Sequence, residues 1–258
     1  MLTLDLGNTS ASVGLVGPGG ASLLGSTEAA ALDGAWMRSC LERALPEGPA
    51  PQGAAVSAVG DPSEERRVCG LLRDLGLAVV SNPDPGLALR IDHPETCGRD
   101  RLYAARGAVD ALGGASDATG LLVVDAGTAL TVDAVALEGR SAVFLGGAIA
   151  PGPGTLARSL SLAGARLPEF TVEPDAAALG RSTDEALRAG VVVGFRGAVD
   201  ALCAGVLREA FGAGARVEGV LTGGARAFAR AGVAGALGRA PLEEPLLVHL
   251  GLAAAATP

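Results

Sequence analysis

The amino-acid sequence predicts an α/β protein built from two similar halves. Short aliphatic strands alternate with amphipathic helical segments along the 258 residues. An Asp-x-Gly turn between two strands occurs twice, at Asp5–Gly7 and again at Asp125–Gly127. Repetition of a strand–turn–strand unit indicates internal duplication, and the small polar stretch at 114–119 is a suitable boundary. We therefore expect one domain at 1–115 and a second at 116–258.

The first half is expected to begin with three antiparallel strands within residues 1–27, separated by Gly-containing turns. This beginning excludes a Rossmann fold, which needs a helix after its first strand. Apolar periodicity then predicts, in order, a helix at 34–45, a strand at 54–59, a helix from Pro62, a strand at 77–80 and a helix from about residue 99 that ends at Gly113-Gly114.

The second half repeats the strand–turn–strand unit at 121–133 and adds a third strand at 141–149. Ser182 and Glu185 are three residues apart, the spacing of a capping box, and should begin a long helix that ends near Ala210. The remaining predicted elements are a helix after Pro151–Gly154, a strand at 217–221, a Thr222-Gly223-Gly224 turn and two C-terminal helices.

Composition limits the classes of function. Apolar residues make up 49% of the chain with one Trp and one Tyr, so the core must be aliphatic. The net charge of −8 and the lack of a basic cluster argue against a nucleic-acid partner. We find no apolar run of membrane-spanning length and no basic leader, and expect a cytoplasmic protein with no membrane contact. The four separated cysteines are expected to be reduced thiols.

The absence of lysine is more restrictive, since all 20 basic side chains are arginine. A P-loop, a kinase-type strand lysine and Schiff-base chemistry are therefore excluded. With only two histidines, a zinc–histidine cluster or a Ser-His-Asp triad is not expected either. Phosphate chemistry in this chain must use backbone amides, arginine, hydroxyl groups and a metal ion.

The segment Gly98-Arg99-Asp100-Arg101 precedes an apolar stripe at Leu102, Ala105, Val109 and Leu112, which predicts an amphipathic helix. Asp100 then lies in the first turn, where the helix dipole and the two flanking arginines favour its ionised form. A carboxylate, a positive helix end and two guanidinium groups suit an anionic substrate and a base. Solvated charges at an ordinary helix start are the alternative interpretation.

The two Asp-x-Gly turns are candidates for binding phosphate. A Gly turn exposes amide N–H groups that can surround a phosphate, and the adjacent acid can hold a cation. Thr9 and Thr128 add hydroxyl donors. Two such hairpins could face each other across a cleft, although an Asp that merely caps each turn is the simpler structural alternative.

Taken together, these motifs resemble those of the type III pantothenate kinases, members of the sugar kinase/Hsp70/actin superfamily. The resemblance covers nearly the whole chain and depends on the order and spacing of its parts. They are Asp5–Thr9, Gly98–Arg101, Asp125–Ala129, Gly146–Gly152, Ala165–Pro168, Gly180–Thr183 and Thr222–Gly224. The resemblance implies two ribonuclease-H-like (actin-like ATPase) domains, each a mixed five-stranded sheet with flanking helices.

The resemblance also implies a reaction and a site. The family phosphorylates pantothenate to 4'-phosphopantothenate with ATP and Mg²⁺, the first step of coenzyme A biosynthesis, with K⁺ or NH₄⁺ as monovalent cation, and acts as a homodimer. By resemblance, Asp100 is the base, Asp5 faces the magnesium-nucleotide, and Asp125 binds the monovalent cation. The implied ATP contacts are Asp5, Leu6, Gly7, Asn8, Thr9, Ser10, Ala11, Ser12 and Thr128, and the implied pantothenate contacts are Ile91, Gly98, Arg99, Asp100, Arg101 and, from the neighbouring subunit, Thr183.

Two positions depart from the family pattern. Ile91 replaces a substrate-contacting Tyr, and Arg99 replaces a small residue, often Ala. Either change could alter substrate affinity. These departures leave two other hypotheses: a nucleotide-binding accessory or regulatory protein without kinase activity, and a kinase for a different small hydroxy acid. The presence of Asp100 favours the pantothenate kinase.

Overall fold

The structure is a computed structural model that describes residues 1–44, 50–112, 117–139, 141–163, 170–212 and 214–257. The predicted helix stop at Gly113-Gly114 and the Ala165–Pro168 motif lie outside these residues. The chain forms two compact units: unit 1 contains Met1–Ala115 and Leu246–Pro258, and unit 2 contains Ser116–Pro245. The predicted second domain extended to residue 258, whereas the structure assigns Leu246–Pro258 to unit 1.

The strands are β1 (Leu2–Leu6), β2 (Ser10–Gly17), β3 (Gly20–Glu28), β4 (Gly53–Ala58), β5 (Ala78–Ser81), β6 (Ala88–Leu89), β7 (Gly120–Ala126), β8 (Ala129–Glu138), β9 (Ser141–Pro151), β10 (Val217–Thr222) and β11 (Leu242–Glu243). The helices are α1 (Gly34–Ala44), α2 (Pro62–Asp74), α3 (Arg99–Ala111), α4 (Pro153–Ala163), α5 (Thr183–Ala210), α6 (Arg226–Leu237) and α7 (Leu247–Ala255). Sequence periodicity predicted most of these elements, but the two-residue strand β11 was not predicted.

Unit 1 contains a five-stranded mixed sheet in the order β3-β2-β1-β4-β5. β1 pairs antiparallel with β2 and parallel with β4. Because side chains alternate along a strand, Leu2, Leu4 and Leu6 share one face and pack into an aliphatic core with residues of α1 and α2. Thr3 and Asp5 therefore belong to the opposite face, where α7 contacts β1, β2 and β4.

The C-terminal helix α7 packs closely against α3. A Cβ atom on Gly251 would lie 1.9 Å from the Tyr103 carbonyl oxygen, and one on Gly107 would lie 2.3 Å from that of Leu247. Only glycine permits this approach of two backbones. The predicted stripe on α3 was therefore too narrow: Tyr103, Ala104, Gly107 and Ala108 are also buried, whereas Val109 and Leu112 are only partly buried.

Unit 2 contains the strand order β11-β10-β7-β8-β9. β7 pairs antiparallel with β8 and parallel with β10, which repeats the β1 arrangement of unit 1 and supports the predicted duplication. One face of this sheet packs against α5 and α6. Its core contains Leu122, Val124, Leu130, Val132, Phe195, Val199, Leu221 and Val233.

Helix α5 begins as predicted, since the Ser182 hydroxyl accepts a hydrogen bond from the Glu185 amide at 3.2 Å. One face of α5 is buried in the unit 2 core, while Val193 is 41% exposed. By length and composition, α5 could cross a membrane, so the expectation that no apolar run has this length was wrong. A single such helix is weak evidence for a membrane, because core helices of soluble proteins have the same properties.

Candidate active site

The turn between β1 and β2 is held by backbone hydrogen bonds. The Gly7 amide donates to the Ser10 carbonyl at 2.9 Å, and the Thr9 carbonyl accepts from Ala29 at 3.1 Å. Asn8, Thr9 and Ser10 are exposed. Of the other predicted nucleotide contacts, Leu6 and Ala11 are buried in the unit 1 core. Only the backbone of those two residues is therefore available to a ligand.

Asp5, at the end of β1, has an electrostatically unfavourable environment. Its Oδ1 atom is buried and has no hydrogen-bond partner among the described residues. The same is true of the hydroxyl of Ser57, the residue that pairs with Asp5 on β4. Burial raises the pKa of Asp5 from 3.8 to about 6; the neighbouring Ser57 lowers it, and the negative charge of Asp100 raises it further. A buried acid with an unsatisfied oxygen atom near the end of a strand is typical of a cation-binding position.

The donor set beside Asp5 suits a magnesium-nucleotide. Carboxylate and hydroxyl oxygens are ligands that Mg²⁺ prefers, and Mg²⁺ usually combines one or two carboxylates with substrate phosphates. Within the described residues, no group of three or more His, Cys, Asp or Glu side chains could hold a metal ion. The site therefore fits a metal that arrives with a nucleotide better than a dedicated protein cage.

Asp100 lies in the first turn of α3, as predicted, and is close enough to Asp5 for its charge to raise the pKa of that carboxyl. Gly98 immediately precedes the helix. A Cβ atom at Gly98 would lie only 2.4 Å from Asp100 Oδ1, so any larger residue would displace the carboxylate. The Gly-x-Asp sequence is thus a steric requirement for the position of Asp100.

Arg99 lies between a cavity of unit 1 and the buried Tyr103. Arg99 lines a cavity of about 430 Å³ between α3 and residues 82–97, together with Asn82, Asp84 and Leu102. Burial raises the pKa of Tyr103 to about 12, and the nearby Arg99 guanidinium acts in the opposite direction. Arg99 therefore lies near the buried Tyr103 hydroxyl.

Two predicted substrate contacts lie on other parts of the chain. Ile91 is partly buried just before a short 3₁₀ helix at Pro94–Thr96 and does not line the Arg99 cavity. Thr183 is the exposed first residue of α5, in unit 2.

In unit 2, three backbone segments meet beside Asp125. A Cβ atom on Gly223, which has a φ of 91°, would lie 2.4 Å from Asp125 Oδ1. The Thr128 carbonyl accepts hydrogen bonds from the Gly152 amide at 3.0 Å and the Thr155 hydroxyl at 2.6 Å. The Thr128 side chain remains exposed at the tip of the β7–β8 turn. The sequence analysis identified each of these turns, and the structure joins them at one place.

A cavity of about 470 Å³ that the sequence analysis missed opens in unit 2. Its lining comes from the start of α4, from residues 170–172 and from the Gly224–Phe228 region, and includes Pro153, Gly154, Arg158, Phe170, Gly224 and Phe228. The N-terminus of an eleven-residue helix and exposed backbone at Gly224 are features that favour anionic ligands. The Pro151–Gly154 and Thr222–Gly224 turns were the available sequence signal.

Comparison with known proteins identifies the family. A sequence model of the type III pantothenate kinase family matches residues 1–205, which include Asp5, Asp100 and Asp125. The chain belongs to this family. Type III pantothenate kinases similar to it include one from Thermus thermophilus, 37% identical over 210 residues that cover 78% of this chain and 80% of that protein. The enzyme of Deinococcus radiodurans is 32% identical over 241 residues, which cover 87% of this chain and 85% of that protein.

Solved structures agree on the fold of this type III pantothenate kinase family member. A Campylobacter jejuni protein provisionally described as a Baf family transcriptional activator has a TM-score of 0.56 at 20% identity, covering 99% of this chain and 96% of that one. The ethanolamine utilization protein EutJ from Carboxydothermus hydrogenoformans has a TM-score of 0.52 at 15% identity. The match covers 98% of this chain and 88% of that chain. At these identities the likeness concerns the fold alone, and the two mixed sheets with flanking helices agree with the predicted α/β class.

Proposed function

We propose that this chain transfers the γ-phosphoryl group of ATP to the primary hydroxyl of pantothenate, with Asp100 as the residue that orients the hydroxyl. The observation that carries the proposal is the proximity of Asp100 to the buried Asp5 carboxylate, whose Oδ1 atom has no hydrogen-bond partner among the described residues. Membership of the type III pantothenate kinase family supports this reaction, the first step of coenzyme A biosynthesis. No observation favours an accessory protein without kinase activity.

The proposed reaction does not require a strong base. Phosphoryl transfer through a loose transition state depends on positioning and charge neutralisation more than on a strong base. Asp100 accepts a hydrogen bond from the substrate hydroxyl and takes its proton late, while Arg101 pairs with the substrate carboxylate. A magnesium ion bound with the nucleotide would neutralise phosphate charge near Asp5. Thr9 and the β1–β2 turn amides bind phosphate oxygens, as does Thr128.

We further propose Asp125 as the binding position of a monovalent cation, K⁺ or NH₄⁺. The support is local: Asp125 lies where the β7 end, the Gly223 backbone and the Ala126 carbonyl come together. An anionic side chain among backbone oxygens suits a large, weakly hydrated cation better than a small divalent one.

A coupled ADP-release assay with an acceptor panel tests the proposed function. We expect turnover with pantothenate and little with pantothenol, which lacks the carboxylate, because Arg101 would lose its partner. Activity should also depend on K⁺ or NH₄⁺ and fall when choline replaces them. Absence of pantothenate-dependent ADP release would refute the kinase, whereas equal activity in choline would refute only the cation site.

We also propose a homodimer formed through the exposed face of α5. Gly190, Gly194 and Gly197 lie along this helix with open space where each Cβ would be. Val193 is a large exposed apolar side chain on the same helix, and further ones lie elsewhere in unit 2, at Ile149, Leu162 and Leu179. A face of small residues permits close helix packing, and an extended apolar surface is typical of an interface. In such a dimer Thr183 would serve the site of the neighbouring subunit.

Gly194→Arg is expected to convert the dimer into a monomer, because a long charged side chain would prevent close packing of α5. Gly70→Arg on α2 is the matched control, since Gly70 is also a helical glycine with open space around it. Sedimentation velocity should report a dimer for the wild type and the control. A wild-type monomer, or a Gly194→Arg dimer, would contradict the proposed interface.

A further inference from the structure

His249 of α7 forms a buried hydrogen-bond network with the first two strands. Its Nδ1 atom lies 3.0 Å from Thr3 Oγ1, and its Nε2 atom lies 3.0 Å from Ser12 Oγ. The residue is 4% exposed. Nothing in the sequence analysis assigned a role to His249, and the match to the family model ends at residue 205, before α7 begins.

The positions of the protons in this network follow from its acceptors. The Thr3 hydroxyl also lies 3.2 Å from the Gly14 carbonyl oxygen, which can only accept, so the Thr3 proton is directed to Gly14. Thr3 Oγ1 must then accept a hydrogen bond from His249 Nδ1–H. Because burial favours a neutral imidazole, Nε2 carries no proton and accepts a hydrogen bond from the Ser12 hydroxyl.

The direction of the Ser12 hydroxyl matters because of its neighbours. Ser12 pairs in register with Asp5 on β1, and Asp5 pairs with Ser57 on β4, so the three side chains form a row on one face of the sheet. With its single proton donated to His249, Ser12 cannot donate to a phosphate oxygen. Its oxygen can accept from a water molecule or lie toward a cation beside Asp5.

We infer that His249 is a positioning residue for the nucleotide site, which fixes the Ser12 hydroxyl so that its oxygen and not its proton is presented beside Asp5. This inference rests on the proposed function and gives Ser12 a role on the cation side of the nucleotide. The predicted phosphate contact is thereby reassigned: the β1–β2 turn amides bind phosphate, and Ser12 with Asp5 supports the metal.

Two substitutions separate this role from a purely structural one. The amide of Asn in His249→Asn overlaps the Nδ1 position, so it keeps the donor to Thr3 and removes the acceptor for Ser12. The amide of Gln in His249→Gln reaches the Nε2 position and keeps an acceptor for Ser12. If His249 only anchored α7 to the sheet, both variants would lose stability, and their affinities for the metal ion would be the same.

The readout is Mn²⁺ binding in the presence of a non-hydrolysable ATP analogue, measured by electron paramagnetic resonance of free Mn²⁺. We expect His249→Asn and Ser12→Ala each to weaken binding about 10-fold, the double variant to weaken it no further, and His249→Gln to stay near the wild type. Fluorescence of Trp36, the single tryptophan and part of unit 1, confirms that each variant is folded.

Wild-type affinity in His249→Asn, or equal losses in His249→Asn and His249→Gln, would overturn the inference. Failure of the kinase proposal has a different signature. In that case the wild type would release no pantothenate-dependent ADP, whereas the pattern among the His249 variants would still be measurable with the analogue alone.

Discussion

Asp100→Asn is expected to lower kcat on the order of 1000-fold, because an amide cannot accept the proton of the substrate hydroxyl and orients it poorly. The substitution preserves shape, and Gly98 still leaves room for the side chain. Pantothenate binding should be largely retained, since the proposed carboxylate contact is Arg101. Steady-state ADP release, with pantothenate affinity measured separately by calorimetry, separates the two effects.

Asp110→Asn is the matched control for this experiment. Asp110 lies on the same helix, and its ion pair with Arg106, 2.9 Å long, is partly exposed and contributes little to stability. We expect wild-type turnover from this variant. Turnover by Asp100→Asn within about tenfold of the wild type would remove Asp100 from the catalytic role, because general-base contributions are larger than this.

Asp5→Asn is expected to have opposite effects on activity and stability. Activity should fall about 100-fold, because the variant loses the carboxylate beside the metal-nucleotide. The ligand-free protein should nevertheless become more stable at pH 7. Raising the Asp5 pKa from 3.8 to about 6 means that the charged form costs the folded state about 3 kcal/mol at neutral pH.

The stability gained in Asp5→Asn is expected to depend on pH. A folded-state pKa above the unfolded one favours folding at low pH, and this contribution is lost as the pH rises through about 6. The stability difference between Asp5→Asn and the wild type should therefore be largest at pH 7 and vanish below about pH 4. Denaturation followed by Trp36 fluorescence measures it for unit 1. A variant less stable than the wild type at pH 7 would contradict the electrostatic account.

Local signals in the sequence predicted much of the fold. The β1–β3 strands follow from alternation and Gly turns, and α5 begins at Ser182 because a hydroxyl there satisfies a free amide. The duplicated Asp-x-Gly turns identified Asp5 and Asp125 as candidate site residues. In each case the determining interactions join residues that are close in the chain.

Features that depend on distant residues could not be predicted in this way. The broad burial of α3 results from contact with α7, which is more than 130 residues later in the sequence. The apolar periodicity within α3 cannot indicate that another helix packs closely against Gly107. The hydrogen bond of Ser12 with His249 likewise depends on three-dimensional neighbours, as does the lack of a partner for Asp5 Oδ1 among the described residues.

The return of α7 to unit 1 has a consequence for biosynthesis. Thr3 is synthesised long before its hydrogen-bond partner His249, which lies 246 residues later in the sequence. The sheet of unit 1 can form early, but the face that contains Asp5 stays uncovered until α7 has been synthesised. Unit 2, whose residues are contiguous, is free to fold first. The region of unit 1 that holds Asp5 and Asp100 is thus completed only after unit 2 has been synthesised.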